Sequence, residues 1–403
     1  TKIKLSMNPD FSEVPPDDAQ DIYNLKYPPY YDENRFFFIE DLDAFGIFSD
    51  FFYSRNIVQP QLAYKATGSL GKTRWGILGA WDKKIVSEGE LINPDDYFQL
   101  LSIIPTIGNF TMGNAFIART NTGYYNYVYS GVYEYRLSKV LSLNTYLAGS
   151  LRKNENEEDN SLKKGYRGQI GINYYPGNWE NSLNIAKISK DIFADAGYLY
   201  GKDRLGYSLS SYWQSNPFPG FLQLVSVLGM AEMQELHPDD DKTTEYDLSG
   251  MLTLRFKPKF FYTFRPGYYS IYDNINQKHN VFSMHNILNF KCWKNFSLYI
   301  NWITGETLVY ALNKTSQMNT ITFRIIGTPQ KSLYYQVQGN LVSYDYPKEN
   351  IIDINGVPLI LYLDNQYAII NASLRFTPVQ RFRFTLGGSI TTYETPTSYS
   401  NFN

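Results

Sequence analysis

The chain has 403 residues but only one cysteine, Cys292, and three histidines. A single cysteine excludes an internal disulfide framework and a zinc site built from cysteine thiolates. The formal net charge of −2 argues against nucleic acid as a partner, because proteins that bind it carry an excess of basic residues. The sequence contains no Gly-rich phosphate loop, metal motif or nucleotide fingerprint, so no cofactor is expected.

Long hydrophobic runs are missing as well. No stretch of about 18 consecutive apolar residues exists, which excludes a membrane-spanning helix. The mean hydropathy of −0.36 resembles that of a soluble protein. It is also typical of a membrane β-barrel, in which only every second strand residue faces lipid.

Aromatic residues are abundant, at 17% of the chain with 36 tyrosines, and they favour strands. Many stretches alternate apolar and polar residues with a period of two, which is the pattern of a strand with two different faces. In the stretch Phe296–Trp302, for example, Ser297, Tyr299 and Asn301 separate the apolar positions. The same alternation occurs in 248–255, 321–325, 370–376 and 381–390.

Turn signals divide these stretches into hairpins. Nine tight turns are predicted, at 71–72, 108–109, 138–139, 176–178, 217–220, 257–259, 293–295, 328–330 and 378–380. Longer polar connections are predicted between them, at 84–95, 120–124, 152–165, 190–206, 236–245, 273–280, 309–317 and 345–366. Short turns on one rim and long loops on the other are typical of outer-membrane barrels, here with about 18 strands between Gln59 and Glu394.

The alternatives are a soluble β-sandwich and a propeller. A propeller would repeat a sequence signature about every 40–50 residues, and no such repeat is present. If the tight turns are periplasmic, the first strand, at Gln59, runs inward and the last strand ends outside the cell. Both termini of single-chain bacterial barrels usually lie in the periplasm, so a barrel requires further strands. The segment Ile47–Arg55 is one candidate and a closing strand beyond Asn403 is another, which would raise the count to about 20 strands.

The opening stretch differs from the rest, since it is acidic, rich in proline and aromatic residues, and aperiodic. We interpret residues 1–46 as a leader or plug segment and residues 47–403 as the barrel. In the lumen, Glu33, Arg35 and Glu40 would pair with arginines of the wall and hold the segment in place. A periplasmic linker with solvated charges is the alternative.

Alternation also predicts which side chains face the lumen. The arginines among them form a basic ladder, which favours anionic or sugar-like solutes: Arg167, Arg255, Arg324, Arg375 and Arg383. The simpler interpretation is that these arginines pair with Asp and Glu in a polar interior.

Two further patterns have ordinary interpretations. The acidic runs 154–159 and 237–241 offer carboxylates to calcium but lack the spacing and the glycine of a known calcium loop, so solvated loops are expected. Ser283 and His285 would share a face of a strand, yet the sequence indicates no acid partner for a catalytic triad.

Four segments resemble a known family: Asn8–Val14 (NPDFSEV), Tyr30–Glu40 (YYDENRFFFIE), Phe51–Arg55 (FFYSR) and Ser189–Leu199 (SKDIFADAGYL). The hairpin Asn371–Tyr393 resembles the C-terminal region of the same family. It is a bacterial outer-membrane β-barrel family of unknown function, whose members commonly follow a family 9-like carbohydrate-binding module.

The chain departs from the family pattern at Asp32, Asn34 and Asn56, where the family has Pro, Lys and a second Arg. The carbohydrate-binding module is absent from this sequence. The resemblance therefore implies an outer-membrane barrel, and carbohydrate only weakly.

The predicted fold is thus all-β, a transmembrane antiparallel up-and-down β-barrel of about 18–20 strands with an N-terminal plug-like segment. The predicted function is a transport or secretion pore, or the barrel subunit of an envelope complex, in the outer membrane of a Gram-negative-type bacterium. A closed barrel that anchors a periplasmic or surface partner is the alternative, and a barrel enzyme a distant third. Expected partners are outer-membrane lipid, other envelope proteins, and carbohydrate or other polar solutes. Export implies that a signal peptide has already been removed.

Overall fold

The computed structural model describes residues 1–9, 26–41, 44–46, 50–83, 85–87, 90–93, 95–199, 201–238, 243–257, 259–273, 275–293, 295–346, 349–354, 357–362, 365–379 and 382–393. This part of the chain is almost entirely β-structure. Its helices are one turn of α-helix, α1 (Phe36–Ile39), and a 3-10 helix (Ser54–Asn56). No helix in the described ranges is long and apolar enough to cross a membrane.

Twenty strands belong to one antiparallel sheet, and two separate hairpins, β4–β5 and β21–β22, lie in long connections. The strands are β1 (Lys2–Met7), β2 (Pro60–Leu70), β3 (Thr73–Asp82), β4 (Ile85–Ser87), β5 (Glu90–Asn93), β6 (Asp96–Ile104), β7 (Thr106–Ile107), β8 (Phe110–Asn121), β9 (Tyr124–Arg136), β10 (Leu141–Asn154), β11 (Lys163–Tyr174), β12 (Trp179–Ile188), β13 (Arg204–Gln214), β14 (Leu222–Leu236), β15 (Thr243–Phe256), β16 (Phe260–Tyr272), β17 (Lys278–Trp293), β18 (Phe296–Val309), β19 (Lys314–Gln330), β20 (Leu333–Tyr344), β21 (Glu349–Ile354), β22 (Val357–Tyr362), β23 (Gln366–Val379) and β24 (Phe382–Tyr393).

The chain divides into two compact units. The first comprises Thr1–Asp17, Tyr30–Leu209 and Met233–Thr244, and the second comprises Asp18–Pro29, Ser210–Glu232 and Glu245–Asn403.

In the first unit, strand pairing follows the chain from β1 through β2, β3, β6, β8, β9, β10 and β11 to β12. Cross-strand partners share a face, so the register identifies which side chains form a row. One row across successive strands is formed by Lys65, Leu78, Leu100, Ile117, Val128 and Ser150, and every member of it is buried.

The opposite face of the same strands is exposed and apolar. It carries bulky side chains, namely Ile77, Trp81, Tyr97, Leu101, Ile103, Phe116, Tyr129, Leu147, Leu151, Tyr166, Ile170, Ile172, Leu183 and Ile185. Strand β1 continues this face, since Ile3, Leu5 and Met7 are also exposed. A contiguous exposed apolar surface of this extent is unusual for a protein surrounded by water.

In the second unit, the strands from β15 to β20 pair in chain order, followed by β23 and β24. Here too one face exposes bulky apolar side chains, which include Leu248, Tyr268, Phe282, Trp302, Ile321, Leu341, Leu374 and Leu386. The other face carries polar residues such as Asp247, Ser249 and Thr253, with Thr253 hydrogen-bonded to Thr263.

The hairpin pattern is confirmed, because long strands joined by short turns follow one another between Gln59 and Glu394. The turn predicted at 328–330 is wrong, since these residues belong to β19 and the chain turns at 331–332. The additional strands are the two-residue β7, which precedes the 108–109 turn, and β1 at the start of the chain. The expectation of a strand at Ile47–Arg55 is wrong for residues 50–55, which form no strand and lead into the 3-10 helix, while 47–49 lie outside the described residues. The connection at 120–124 is a short turn rather than a long loop.

Candidate functional site

Residues 30–57, here called the N-terminal segment, pack against the buried face of the first unit's sheet. Phe38, Phe45, Phe51 and Ile57 are at most 1% exposed. They share one apolar core with strand residues that include Leu78, Phe98, Leu100, Ile117, Val128 and Tyr146. The segment therefore covers the face that lies opposite the exposed apolar surface.

Arg35 is the polar centre of this segment. Its guanidinium forms a two-point ion pair with Glu33, with Nε and Nη2 at 2.8 and 2.6 Å from the carboxylate oxygens. It also donates to the backbone carbonyls of Ile57 and Ser54, both at 2.7 Å. The same group lies 4.5 Å from the centre of the Phe38 ring. Arg35 thus joins both ends of the segment, and Glu33 pairs within the segment rather than with a strand arginine.

Two strand residues bind the backbone of the segment. The buried ammonium of Lys65 donates to the carbonyls of Phe37 and Glu40, which lie at the C-terminal end of α1. A positive charge at this end of a helix turn satisfies carbonyls that have no partner within the helix. The Ser102 hydroxyl donates to the carbonyl of Phe45 at 2.6 Å.

Side-chain ion pairs connect the segment to its surroundings. The carboxylate of Glu40 pairs with Lys4 on β1, and Asp41 pairs with Lys2 at 2.6 Å. Arg167, which was predicted to face the lumen, pairs with Asp50 of the segment and lies 4.9 Å from the centre of the Tyr146 ring. This ion pair links the segment to a strand arginine through Asp50, a carboxylate that the sequence analysis did not select.

The Glu33–Arg35 pair gives the docking of the segment a pH dependence. Burial raises the pKa of Glu33, but hydrogen bonds from Arg35 and Ser54 outweigh it and lower the pKa below its usual 4.5. An acid with a lowered pKa stabilises the folded state above its unfolded value and loses that contribution as the pH falls through the folded value. We therefore expect the hydrogen-exchange protection factors of residues 30–57, which are corrected for the intrinsic slowing of exchange in acid, to fall as the pH falls below about 4.3. Glu33→Gln should remove that dependence, and an unchanged pH profile in this variant would contradict the assignment.

A second segment, residues 189–199 between β12 and β13, lies on the same face. Asn126 binds it at two points, accepting from the N–H of Asp195 at 2.9 Å and donating to the carbonyl of Phe193 at 3.1 Å. Residues 50–56 bind its other side, with the N–H of Tyr53 donating to the carbonyl of Ala196 at 2.8 Å. The two segments therefore support each other.

Gly165 permits the close approach of this segment to β11. A Cβ atom at Gly165 would lie 2.1 Å from the backbone nitrogen of Ile192, which cannot move without displacing the segment. We expect Gly165→Ala to destabilise the protein by about 1–3 kcal/mol, as overpacking does. The measurement is the thermal unfolding midpoint in detergent.

Gly149 on β10 provides a matched control, because the nearest atom to a Cβ there is 4.0 Å away. Gly149→Ala should leave the midpoint nearly unchanged. Equal losses in the two variants would show that strand propensity, and not contact with Ile192, determines the effect.

A polar pocket of about 800 Å³ opens beside the 189–199 segment. Its walls come from β8, β9 and β10, from the connections that follow β8, β10 and β12, from Asp95 just before β6, and from Asn56. The residues that line it are Asn56, Asp95, Arg119, Asn121, Thr122, Tyr124, Arg152, Asn154, Asn156, Ala194, Asp195, Gly197, Leu199 and Lys202. Eight of the fourteen lining residues carry an amide, hydroxyl or carboxylate group, so the lining is rich in hydrogen-bonding groups.

The two arginines of the pocket are neutralised by carboxylates. Arg119 binds the buried Asp96 through Nε and Nη2 at 3.1 and 2.6 Å. Arg152 binds Glu157 at 2.9 and 2.6 Å, and its Nε donates to Asp195 at 2.8 Å. This network fixes the orientation of the planar side chains.

Tyr124 and Lys202 complete the lining. The hydroxyl of Tyr124 donates to Asp195. The ammonium of Lys202 lies 3.5 Å from the centre of the Phe193 ring, and burial lowers the pKa of this lysine. Its ammonium has no hydrogen-bond acceptor among the residues that the structure describes.

The remaining predicted lumen arginines belong to the second unit. Arg255 lies on β15 over the ring of Phe261, at 5.2 Å from its centre. Arg324 on β19 shares its face with the buried Gln338. Arg375 on β23 lies 5.5 Å from the centre of the Tyr334 ring. Arg383 belongs to β24, and its side chain lies outside the described residues.

The other candidate sites are a metal site, the two acidic runs and the pair of Ser283 and His285. In the described ranges, no group of three or more His, Cys, Asp and Glu is placed to hold a metal ion. Glu157 and Asp159 of the acidic run 154–159 pair with Arg152 and Lys163, and residues 239–241 lie outside the described part of the chain. Ser283 and His285 share a face of β17, as expected for alternate residues of a strand.

Sequence reasoning missed the pocket. Arg119 is far from Asp195 and Lys202 in the chain, and only the strand register brings it close to them. The one signal was the 189–199 stretch, which stands out as a motif although it is not a strand.

No family model and no curated protein matches the sequence. Among solved structures, the fold is similar to the siderophore receptor PiuA from Acinetobacter baumannii, with a TM-score of 0.45 and 8% identity over 82% of this chain and 69% of that chain. It is also similar to BauA, the ferric preacinetobactin receptor of the same organism, with a TM-score of 0.45 and 9% identity over 83% of this chain and 67% of that chain.

Proposed function

We propose that the protein is a β-barrel of the outer membrane of a Gram-negative-type bacterium, through which polar solutes pass. The observation that carries the proposal is the contrast between the two faces of the strands. One face exposes bulky aliphatic and aromatic side chains in both units, while the other is polar or covered by the chain itself. Lipid on the apolar side and water on the polar side are the surroundings that suit these two faces.

The N-terminal segment serves as the plug of this barrel. Its apolar side chains are buried against the sheet, whereas its binding partners Lys65, Ser102 and Arg167 are polar and belong to the strands. In this proposal the pore is closed at rest and opens when the segment leaves.

A closed barrel that anchors a periplasmic or surface partner is the second candidate. The burial of Phe38, Phe51 and Ile57 to 1% or less favours it, because such side chains are costly to expose. In that case the segment never leaves, and the barrel acts through what it displays. Other envelope proteins would then be the functional partners.

The membrane assignment is tested with two neighbouring strand positions of the second unit. Leu248 is 50% exposed on the apolar face, and Ser249 lies on the polar face of β15. We expect a spin label on Leu248→Cys, in a background with Cys292→Ser and in lipid bilayers, to collide mainly with oxygen. A label on Ser249→Cys should collide mainly with a water-soluble nickel complex.

The pair serves as its own control, since both labels lie on the same strand one residue apart. If both labels favour the nickel complex, the apolar face is not in contact with lipid and the membrane proposal fails.

A further inference from the structure

We infer that the polar pocket of the first unit binds a neutral polyhydroxylated solute, such as a sugar unit of a small oligosaccharide. This deepens the proposed function by naming the class of solute and its binding site. It rests on the pocket's lining and on its balance of charge.

The size of the pocket fits such a ligand. Ligand pockets of proteins are roughly 300–1,000 Å³, and this one measures about 800 Å³. Only Ala194, Gly197 and Leu199 contribute apolar lining. An apolar ligand would therefore leave many polar groups without hydrogen bonds, which costs free energy.

The charge balance argues against an anion. Arg119 and Arg152 would attract one if they were unpaired, but Asp96, Glu157 and Asp195 already neutralise them. Lys202 is the one lysine of this lining, and its ammonium donates to no hydrogen-bond acceptor among the described residues, but the same lining also contains Asp95 and Asp195. The pocket thus offers donors and acceptors side by side with little net charge, and vicinal hydroxyl groups need that combination.

The free hydrogen-bonding groups match this chemistry. Asn121 donates its amide to Asp96 at 2.8 Å, which leaves its carbonyl oxygen available. Asn56 donates to the carbonyl of Gly197 at 2.8 Å and likewise presents an oxygen. Asp195 uses one carboxylate oxygen for both Tyr124 and Arg152, so the other can accept from a ligand hydroxyl. Lys202 supplies donors.

Saturation-transfer NMR on the full chain in detergent tests the inference with four trisaccharides. Maltotriose, mannotriose and xylotriose are neutral, and trigalacturonate is their anionic counterpart. We expect saturable binding of at least one neutral trisaccharide and weaker binding of trigalacturonate. No binding of any neutral trisaccharide, or tighter binding of trigalacturonate, overturns the inference.

Two variants locate the site. Thr122→Trp places an indole in the pocket mouth and should abolish binding of the neutral sugar. Ser161→Trp is the matched control, because Ser161 is an exposed loop residue outside the lining. If Thr122→Trp binds like Ser161→Trp, the sugar binds elsewhere and the assignment of the pocket is wrong.

A third variant tests the role of charge. Asp195→Asn keeps an acceptor for Arg152 but removes one negative charge, so the ratio of trigalacturonate to neutral sugar affinity should rise on the order of tenfold. An unchanged ratio would show that Asp195 does not set selectivity. Because these measurements are made in detergent, they can succeed or fail independently of the labelling experiment in bilayers.

Discussion

Replacing Phe38 by alanine is expected to raise the conductance of the protein in planar bilayers. Phe38 is 1% exposed, packs within the core beneath the N-terminal segment and stacks near the Arg35 guanidinium. Truncating a buried phenylalanine to alanine costs about 3–5 kcal/mol, here mostly from the docking of the segment rather than from the sheet. Wild-type protein should show rare, brief openings, and the variant should show frequent and longer ones.

Phe36 provides the control within the same helical turn. It is 79% exposed, so Phe36→Ala removes a ring of equal size without opening a cavity. Conductance should then remain at the wild-type level. If Phe38→Ala unprotects residues 30–57 in hydrogen exchange yet leaves conductance unchanged, the segment does not control a pore. The closed structural barrel would then be the better description.

The strand pattern was predictable from sequence because it depends on local signals. The alternation in 296–302 and the turn residues at 176–178 can be recognised in the sequence without knowing which residues the strands contact. Hairpins joined by short turns then fix both the neighbours of each strand and the antiparallel order. Strand β1 was missed because its alternation, KIKLSM, is only six residues long and adjoins an aperiodic stretch.

The contacts of the N-terminal segment were only partly predictable. Sequence reasoning selected Glu33, Arg35 and Glu40 as charges that need partners. It could not tell that Glu33 pairs with Arg35, because that pairing depends on the backbone conformation before α1. Lys65 was not singled out at all, since a lysine on an alternating strand usually indicates a solvated face.

The pocket could not be predicted for a related reason. Its network joins Asp96 and Arg119, on the neighbouring strands β6 and β8, to Asp195, which lies 76 residues further along the chain than Arg119. No spacing rule links residues at such distances. Only the register of β6, β8, β9 and β10, with the close approach allowed at Gly165, brings them to one place.

Arg35→Met is expected to weaken docking of the N-terminal segment by about 3–5 kcal/mol, because it leaves a buried carboxylate without its partner. The side chains of Arg35 and Glu33 are each 11% exposed, and two backbone carbonyls lose a donor as well. Glu33→Gln/Arg35→Met should recover part of the loss, since it leaves no unpaired charge. Hydrogen exchange of residues 30–57 measures all three proteins. Arg35→Lys should remain defective, because a lysine cannot reproduce the two-point pair together with two carbonyl contacts.

The pH profile of Arg35→Met distinguishes an ion pair from simple packing. Without the guanidinium, burial, which is the largest influence on the pKa of Glu33, is opposed only by hydrogen bonds from the Ser54 hydroxyl and the backbone N–H of residue 35, so we expect the pKa to rise above the unfolded value. A raised pKa gives stability that is present at low pH and lost as the pH rises through the folded value, so the sign of the dependence reverses. Wild-type docking should therefore weaken below about pH 4.3, while docking in Arg35→Met should strengthen as the pH falls. If both proteins weaken in acid to the same extent, the Glu33–Arg35 pair does not hold the segment, and its apolar contacts alone determine whether the barrel is closed.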